Sequence, residues 1–322
     1  MSGITRVLDP EFTFWSNKSK TRVGVKSHGN GSTARVQRGQ NTRMGMTEPK
    51  TTGESCRLLT PTLHAGFWAL LAARRAVTLS ERALAAVSLG LLSGEDLVRM
   101  TTATYRRDDR YLGEKNVRAG LKDWEAEAIE AHFPRKGKAL VLAAGGGREV
   151  VALRERGLDV FAADCDRRYV DFMRDFFRRD AYVRRIDLVP PNEAPSGLED
   201  LDAALIGWGG YTHVPSREDR VALLRKLAAM TKPGAPIMIS FWAERPPKQG
   251  RLDKAVFQAA RVLQSLTRTR AGGPREGDRI AVPGIYGYLF SRAEIESEVR
   301  EAGLRLISYR AKPYGCAVAA RE

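Results

Sequence analysis

Long apolar runs, paired cysteines and clustered histidines are all missing from this chain of 322 residues. No apolar run approaches the roughly 20 residues that a membrane-spanning helix needs, so we expect no membrane segment. The three cysteines, Cys56, Cys165 and Cys316, lack Cys-x-x-Cys spacing, which argues against both a disulfide framework and a zinc site. This cysteine usage is typical of a reducing cytoplasm, where we expect the protein to act. The four histidines are scattered, and we therefore expect no metal.

Acidic residues are scarce at the N-terminal end, where none occurs between Glu11 and Glu48. Residues 1–50 contain nine Lys or Arg and three Asp or Glu, and they account for +6 of the formal charge of +15. The segment is rich in Gly, Ser, Asn and Thr and offers too little apolar surface to offset the entropy of ordering. We predict a disordered basic tail over residues 1–55. Elsewhere Arg is interleaved with Ala and Leu, which is typical of a solvated basic surface, so a nucleic-acid partner is left open but not favoured.

Helical periodicity dominates residues 56–133, which we predict to form an N-terminal helical region. Apolar residues recur at three- and four-residue spacing in "HAGFWALLAARRAVTL", "SERALAAVSLGLL", "SGEDLVRMTTATYRR" and "VRAGLKDWEAEAIEAHF". Ser80 and Ser93 are expected to cap the second and third of these helices, because a serine side chain accepts a hydrogen bond from the free N–H groups of a first turn.

Residues 134–322 alternate short apolar runs with helical segments and are predicted to form one domain. Such alternation indicates right-handed βαβ units. The predicted fold class is α/β: a doubly wound, seven-stranded, mostly parallel sheet of the Rossmann-like kind, with an antiparallel final pair at one edge. Ser216 and Ser291 are expected N-caps, and Gly157 and Gly303 are expected at helix C-termini. The predicted strands are "ALVLAA", "DVFAAD", "VRRIDLV", "AALIGW", "PIMISFW", "LRLISY" and "CAVAA".

One segment, residues 243–285, interrupts the alternation between the fifth and sixth predicted strands. It contains the amphipathic pattern "KAVFQAARVLQSL" between two stretches that hold Pro and Gly. Ligands of open α/β sheets bind beyond the carboxyl ends of the strands, and an insertion after a strand lies on that rim. The segment is either a lid over a substrate or a helix that only packs against the domain.

Gly145, Gly146 and Gly147 stand between the first predicted strand and the helix after it. The free N–H groups and the dipole of a helix start favour a negative ligand group there. The second strand ends in Asp164, 17 residues after Gly147, where a carboxylate can accept hydrogen bonds from the two hydroxyls of a ribose. Together these features predict a nucleoside-containing cofactor. The spacing does not suit a dinucleotide, because Val150 stands where a small residue is needed, and no Gly-Lys-Ser/Thr occurs for a phosphate-binding loop.

The glycine loop resembles the first motif of the class I S-adenosylmethionine-dependent methyltransferases. The resemblance covers residues 105–322 and implies S-adenosylmethionine as the cofactor and methyl transfer as the activity. It implies that the loop residues Ala143, Ala144, Gly145 and Gly147 bind the cofactor; the first, third and fourth match the family's three glycine positions, which lie against its methionine part. The segments that carry it are "ALVLAAGGGREVVAL", "GLDVFAADCDRRYVDFM", "LDAALIGWGGYTHV", "LLRKLAAMTKPGAPIMISF" and "GYLFSRAEIESEVREAGLRLISYR".

Further site residues follow from the same resemblance. Asp164 matches the acid that binds the ribose hydroxyls, and Cys165 matches the residue beside the adenine. Asp187 matches the residue that contacts the adenine amine. Trp208 and Gly209 follow the fourth strand, where cofactor and substrate meet in the family.

The loop departs from the family pattern at its first glycine position, which is Ala143, and Val141 stands where many relatives carry an acid. An alanine at this turn is tolerated while φ stays negative, so we expect weaker cofactor binding rather than none. Glu149 lies in the first turn of the following helix, and we interpret it as an acid that favours the helix dipole rather than as a cofactor contact.

The methyl acceptor is predicted to be a small molecule that is methylated on oxygen or nitrogen. Tyr211 and His213, in "GWGGYTHVPSRED", are the candidates for a general base, and the alternative for His213 is a packing or capping role. Tyr286 and Tyr288 belong either to the pocket lining or to the core. Two other functions are left open: an RNA or protein methyltransferase anchored by the basic tail, and a cofactor-binding scaffold without catalysis, which Ala143 motivates.

Overall fold

The computed structural model describes residues 53–243, 251–270 and 273–322, and the chain divides into two compact units, residues 1–79 and 80–322. The predicted disordered tail lies outside the described residues as far as position 52. Its last three positions, residues 53–55, belong to a helix.

That helix, α1 (Gly53–Leu91), accounts for all the described residues of the first unit. From residue 61 to residue 76 every side chain is exposed, Phe67 and Trp68 among them. The prediction that Ser80 begins a new helix is wrong, because α1 runs through this position as one helix of 39 residues. Strong helix formers follow Ser80 in "SERALAA", and neither Gly nor Pro interrupts the pattern there.

Three further helices precede the sheet in the second unit: α2 (Gly94–Tyr105), α3 (Glu114–Val117) and α4 (Asp123–His132). Ser93 caps α2 as predicted. Its hydroxyl accepts the Asp96 N–H at 3.1 Å, and the Asp96 carboxylate accepts the Ser93 N–H at 3.3 Å. This reciprocal pair is a capping box, and it fixes where α2 begins.

Nine strands follow in the described part of the chain, joined by helices that cover the sheet. The strands are β1 (Gly137–Leu142), β2 (Leu158–Asp164), β3 (Val183–Leu188), β4 (Ala203–Ile206), β5 (Pro236–Ala243), β6 (Asp278–Ala281), β7 (Ile285–Phe290), β8 (Leu304–Arg310) and β9 (Gly315–Arg321). The helices are α5 (Arg148–Glu155), α6 (Arg167–Phe176), α7 (Arg217–Met230), α8 (Arg251–Thr267) and α9 (Arg292–Glu301), with a 3₁₀ turn at Gly210–His213.

Seven strands form the main sheet in the spatial order β3-β2-β1-β4-β5-β9-β8. The pairs among β1 to β5 are parallel, whereas β9 runs antiparallel to both β5 and β8. The predicted seven-stranded, mostly parallel sheet with an antiparallel pair at its edge is therefore confirmed. The strand order reverses between β1 and β4, and the carboxyl ends of parallel strands form a ligand-binding crevice at such a reversal.

The sequence analysis did not identify β6 and β7, which form an antiparallel hairpin. β7 also pairs in parallel with Trp242 and Ala243, the last two residues of β5. Tyr286 and Tyr288 are buried in β7, which places both in the core. Before the hairpin, α8 buries Ala260 completely in a cluster with Leu89, so this helix packs against the domain. A lid role for residues 243–285 stays a prediction.

The predicted helix ends of the sheet domain are confirmed. The Ser216 hydroxyl accepts the Asp219 N–H at 2.9 Å at the start of α7, and Ser291 caps α9 in the same way. Gly157 and Gly303 follow α5 and α9 with φ of 98° and 77°, the left-handed conformation in which glycine is favoured. Among the residues that the structure describes, no helix is both long enough and apolar enough to cross a membrane.

Candidate cofactor and acceptor site

The loop between β1 and α5 turns sharply, with φ of 51° at Ala143, 53° at Gly145 and 95° at Gly147. The expectation that φ of Ala143 is negative is wrong. An L-residue with a side chain is strained in this left-handed region. The Ala143 side chain is accommodated because Gly210 faces it, and a Cβ added at Gly210 would lie only 2.8 Å from the Ala143 Cβ.

Replacement of Ala143 by glycine is expected to raise the free energy of unfolding by about 0.5–1 kcal/mol. The left-handed conformation costs an L-residue about 1–2 kcal/mol, and the greater freedom of glycine in the unfolded chain offsets part of that relief. Urea denaturation measures the change. Ala152→Gly in the middle of α5 is the matched control and should lower the stability by about 0.5–1 kcal/mol. Equal losses in the two variants would contradict strain at Ala143.

The three consecutive glycines differ in their surroundings. A Cβ at Gly146 would lie 2.0 Å from the backbone oxygen of Tyr111, and a Cβ at Gly147 would lie 2.8 Å from the Phe177 ring. A Cβ at Gly145 would meet nothing within 4 Å. Gly146 and Gly147 therefore allow close packing, whereas Gly145 exposes bare backbone on the open side of the loop, where a ligand can approach it.

Asp164, at the end of β2, lies directly against this loop. Its carboxylate accepts the Gly145 N–H at 2.8 Å and the Asp166 N–H at 2.9 Å. The side chain is buried, and burial raises the pKa of this carboxyl, while the two backbone N–H groups act in the opposite direction. A carboxylate offers about four lone-pair positions, so it can accept further hydrogen bonds from hydroxyl groups.

A second carboxylate, that of Asp166, lies two residues further on. One of its oxygens caps α6 by accepting the Arg168 N–H at 2.9 Å. Its other oxygen is buried and has no hydrogen-bond partner within the described ranges. Cys165 stands between the two acids in the sequence. Burial and both carboxylates raise the pKa of its thiol to about 12, so the thiol stays protonated. The end of β2 is therefore rich in acceptors, which suits a ligand that carries hydroxyl groups.

Asp187 is not brought together with Asp164. In the pairing of β2 with β3, Asp187 lies opposite Ala163, and Asp164 lies opposite Leu188. Neighbouring residues of a strand point to opposite faces, so the two acids lie on different faces of the sheet. The Asp187 carboxylate accepts a hydrogen bond from Arg185 Nε at 2.5 Å.

Trp208, after β4, lies on a buried cation. The guanidinium carbon of Arg148 is 4.8 Å from the centre of the Trp208 ring. Arg148 donates to both oxygens of Glu125, at 2.6 and 2.7 Å, and to Glu149 at 2.6 Å. Glu149 does lie in the first turn of α5, but it is also buried, and burial raises its pKa. The sequence analysis missed the roles of Arg148 and Glu125, which come together only through tertiary packing.

Tyr211 and His213 have different surroundings, although both belong to the same 3₁₀ turn. Tyr211 is fully buried, and its hydroxyl donates to Glu298 at 2.7 Å inside the core. The Nδ1 atom of His213 lies 2.7 Å from the Tyr286 carbonyl oxygen, and its Nε2 atom lies 3.0 Å from the Tyr105 hydroxyl. A carbonyl only accepts, so Nδ1 carries the proton and Nε2 accepts the hydrogen bond of Tyr105. Burial lowers the pKa of His213, which favours this neutral form.

Four aromatic side chains form a row with His213, and we call these five rings the aromatic wall. The separations of neighbouring ring centres are 6.1 Å for Tyr169 and Tyr111, 6.2 Å for Tyr111 and Tyr105, 5.5 Å for Tyr105 and His213, and 5.6 Å for His213 and Trp242. The wall extends from α6, which Asp166 caps, to the end of β5. Because its members come from separate segments of the chain, no sequence motif indicates it.

Comparisons with known proteins bear on the fold. No family model matches the sequence, and no curated protein matches it. The PH0226 protein of Pyrococcus horikoshii OT3 is similar in structure at 13% identity, with 68% of this chain and 99% of that chain covered and a TM-score of 0.50. A methyltransferase of Methanosarcina mazei that depends on S-adenosylmethionine shows 15% identity, coverage of 63% and 98%, and a TM-score of 0.48.

A third solved structure is the 1,6-didemethyltoxoflavin-N1-methyltransferase of Burkholderia thailandensis, at 16% identity, coverage of 71% and 86%, and a TM-score of 0.46. Identities this low concern the fold. The TM-score of 0.50 with the PH0226 protein and the strand order described above agree with the predicted doubly wound, Rossmann-like α/β fold.

Proposed function

We propose that this protein is an S-adenosylmethionine-dependent methyltransferase that transfers a methyl group to an oxygen or nitrogen atom of a small molecule. The observation that carries the proposal is the contact between the Asp164 carboxylate and the Gly145 N–H at the carboxyl ends of β1 and β2. It joins an acceptor for ribose hydroxyls to a loop whose open backbone can approach the rest of the cofactor.

The residues around this contact fit the cofactor. Asp164 accepts the ribose hydroxyls, and Cys165 lies beside the adenine as an uncharged side chain. The loop residues Ala143, Ala144, Gly145 and Gly147 contact the methionine part, and Trp208 lies where cofactor and acceptor meet. Asp187, which faces the other side of the sheet in an ion pair with Arg185, is not retained as a cofactor contact.

The cofactor supplies a methyl group made reactive by a positively charged sulfur. The protein's part is to hold the acceptor in line with the bond that breaks and to exclude water. Such positioning can lower a barrier by about 7–11 kcal/mol. All members of the aromatic wall except the buried Tyr169 are partly exposed, and a small-molecule acceptor is proposed to pack against these rings.

Isothermal titration calorimetry of the full-length protein with S-adenosylmethionine tests the proposal. We expect one cofactor to bind per chain, with a dissociation constant within the range of about 1 μM to 1 mM that is common for enzyme substrates. A complete lack of binding by folded protein would overturn the proposed function.

Incubation with S-adenosylmethionine that carries a labelled methyl group, together with a panel of small hydroxyl and amine compounds, then identifies the acceptor by mass spectrometry. Label in a small molecule supports the proposal. Label only in added RNA or protein would replace the small-molecule acceptor by a polymer. Binding without transfer to any acceptor would indicate a scaffold.

A further inference from the structure

The helix α1 carries a continuous band of large, exposed apolar side chains. Leu63, Phe67, Leu70 and Leu71 recur at the three- and four-residue spacing that places side chains on one side of a helix, and Trp68 borders them. Phe67 and Leu70 are 71% and 68% exposed. Single exposed apolar residues are ordinary on protein surfaces, whereas a continuous patch of them marks a surface that binds a partner. We call these five residues the apolar band.

The opposite side of the same stretch of α1 carries small side chains. Ala65, Ala69, Ala72 and Ala76 repeat with the spacing of the band, about half a turn away from it. The large apolar side chains are therefore collected on one side of the helix. A partner that covers this side removes most of the apolar surface of the stretch from water at once.

Positive charge accompanies the band. No Asp or Glu occurs from residue 55 to residue 80, whereas Arg57, Arg74 and Arg75 lie within this range. Arg74 and Arg75 are exposed, and Arg74 follows Leu70 by four residues, which places it on the side of the band. Residues 1–50, which precede the helix in the sequence, add a formal charge of +6. The partner of this side of α1 therefore combines apolar material with negative charge.

We propose that α1 binds the surface of a lipid bilayer that contains anionic lipids. The apolar band lies in the boundary between headgroups and acyl chains, where a helix in the plane of the surface buries its apolar side about 5–10 Å deep. Arg74 and Arg75 keep their apolar stems along this boundary and direct their guanidinium groups to the lipid phosphates. The proposal goes beyond the proposed function and does not depend on it.

The charges favour a bilayer over a second copy of the chain. If the bands of two copies packed together, each copy would bring Arg74 into the contact, and residues 55–80 contain no acid that could pair with it. Burial of a charge without a partner is strongly unfavourable. At a bilayer surface the same guanidinium meets a phosphate, with which it forms paired hydrogen bonds. Nucleic acid would also supply phosphates, but it would leave the leucine side chains of the band in water.

The test is flotation of the full-length protein with vesicles of phosphatidylcholine, either alone or with about one third phosphatidylglycerol to supply negative charge. Two double variants separate the contributions: Phe67→Gln with Leu71→Gln removes apolar side chains, and Arg74→Gln with Arg75→Gln removes charge. Glutamine is a good helix former and all four positions are exposed, so α1 should remain helical in both variants. Circular dichroism checks this.

The matched controls make the same chemical changes on other elements. Val262→Gln with Leu266→Gln removes two apolar side chains, four residues apart, from α8, where they are 59% and 76% exposed. Arg178→Gln with Arg179→Gln removes two adjacent exposed arginines that follow α6. Both controls should bind the vesicles as the wild-type protein does.

We expect the wild-type protein to bind the anionic vesicles at least about tenfold more tightly than phosphatidylcholine alone. Loss of both arginines should lower the partition coefficient by about 20-fold, because each basic residue near an anionic surface contributes about fivefold. Loss of Phe67 and Leu71 should lower it by about 10²-fold, since both side chains then no longer leave water. Raising the salt concentration from about 0.1 M to 1 M should weaken the binding, because the screening length falls from about 10 Å to 3 Å.

Two flotation results would overturn the proposal. One is folded wild-type protein that does not bind the anionic vesicles, and the other is unchanged binding after loss of Phe67 and Leu71, which would assign the binding to basic segments alone. Analytical ultracentrifugation without vesicles should give the same sedimentation for the wild-type protein and this variant. A dimer that only the variant loses would replace the bilayer by a second copy. Titration with S-adenosylmethionine is independent of these readouts, so its failure would overturn the proposed function alone.

Discussion

Asp164→Asn is expected to weaken the binding of S-adenosylmethionine by about 10²–10³-fold. Hydrogen bonds to a charged group contribute about 1.5–3 kcal/mol each, and the neutral amide both loses this charge and turns one acceptor into a donor. The site is buried, so water compensates little for the loss. Isothermal titration calorimetry of the wild-type and variant proteins measures the difference.

The Asp164 carboxylate also holds the Gly145 N–H, so the experiment has to separate loss of the ribose contact from a shift of the loop. 5′-Methylthioadenosine keeps the ribose and lacks the amino-acid part of the cofactor. Its affinity should fall by the same factor if the ribose contact is lost, and it should be spared if only the loop moves. Asp159→Asn is the control, since Asp159 lies at the start of β2 and pairs with Arg184. Wild-type affinity in Asp164→Asn would refute the ribose assignment.

Glu298→Gln is expected to lower the free energy of unfolding by about 3–5 kcal/mol, the cost of leaving one charge of a buried ion pair without its partner. Arg220 and Glu298 each have about 1% of the side chain exposed and meet at 2.6 Å. Arg220 Nη1 also donates to the Val214 carbonyl oxygen at 3.0 Å, so the pair joins α7, α9 and the chain between β4 and α7. Urea denaturation followed by circular dichroism measures the change.

Glu296→Gln is the matched control, because the Glu296 carboxylate pairs with Arg292 on the exposed side of the same helix. Exposed pairs of this kind contribute about 0.3–0.5 kcal/mol. Tyr211→Phe removes one hydrogen bond to the buried carboxylate and should cost about 1.5–3 kcal/mol. Similar losses in Glu298→Gln and Glu296→Gln would show that the buried pair is not important for stability.

The surroundings of Tyr211 indicate that this residue stabilises the core and does not act as a general base. Its hydroxyl is buried against Glu298, and burial raises its pKa well above the usual value, so proton transfer from it is disfavoured. If Tyr211 is structural, Tyr211→Phe should lower stability while kcat of the remaining folded protein stays unchanged. His213, two residues later, faces Tyr105 and the aromatic wall instead. Two candidates from one short motif therefore have different surroundings, because side chains two positions apart in this tight turn point in different directions.

Features that depend on neighbours in the sequence could be predicted before the structure was known. The seven strands of the main sheet follow from short apolar runs separated by helical periodicity, and Ser93, Ser216 and Ser291 follow from capping chemistry. Both kinds of signal act within a few residues, so the sequence displays them directly. The Ser80 prediction failed because the same capping residue also fits inside a long helix when strong helix formers surround it. The β6–β7 hairpin was missed because β6 lies inside the apparent insertion and the buried run "IYGYLF" of β7 begins only where that insertion ends.

The contact that defines the candidate site follows from the order of the motifs along the chain. A glycine loop after β1 and an acid at the end of β2 must meet, because adjacent parallel strands bring their carboxyl ends to the same edge of the sheet. The rest of the site depends on how distant elements pack together. Tyr105 and His213 are 108 residues apart, and Glu125 and Arg148 are 23 apart, on elements whose packing no local pattern specifies. The conformation of Ala143 also depends on packing. Gly210 lies in a loop far along the chain, and it leaves the space that lets Ala143 adopt a left-handed conformation.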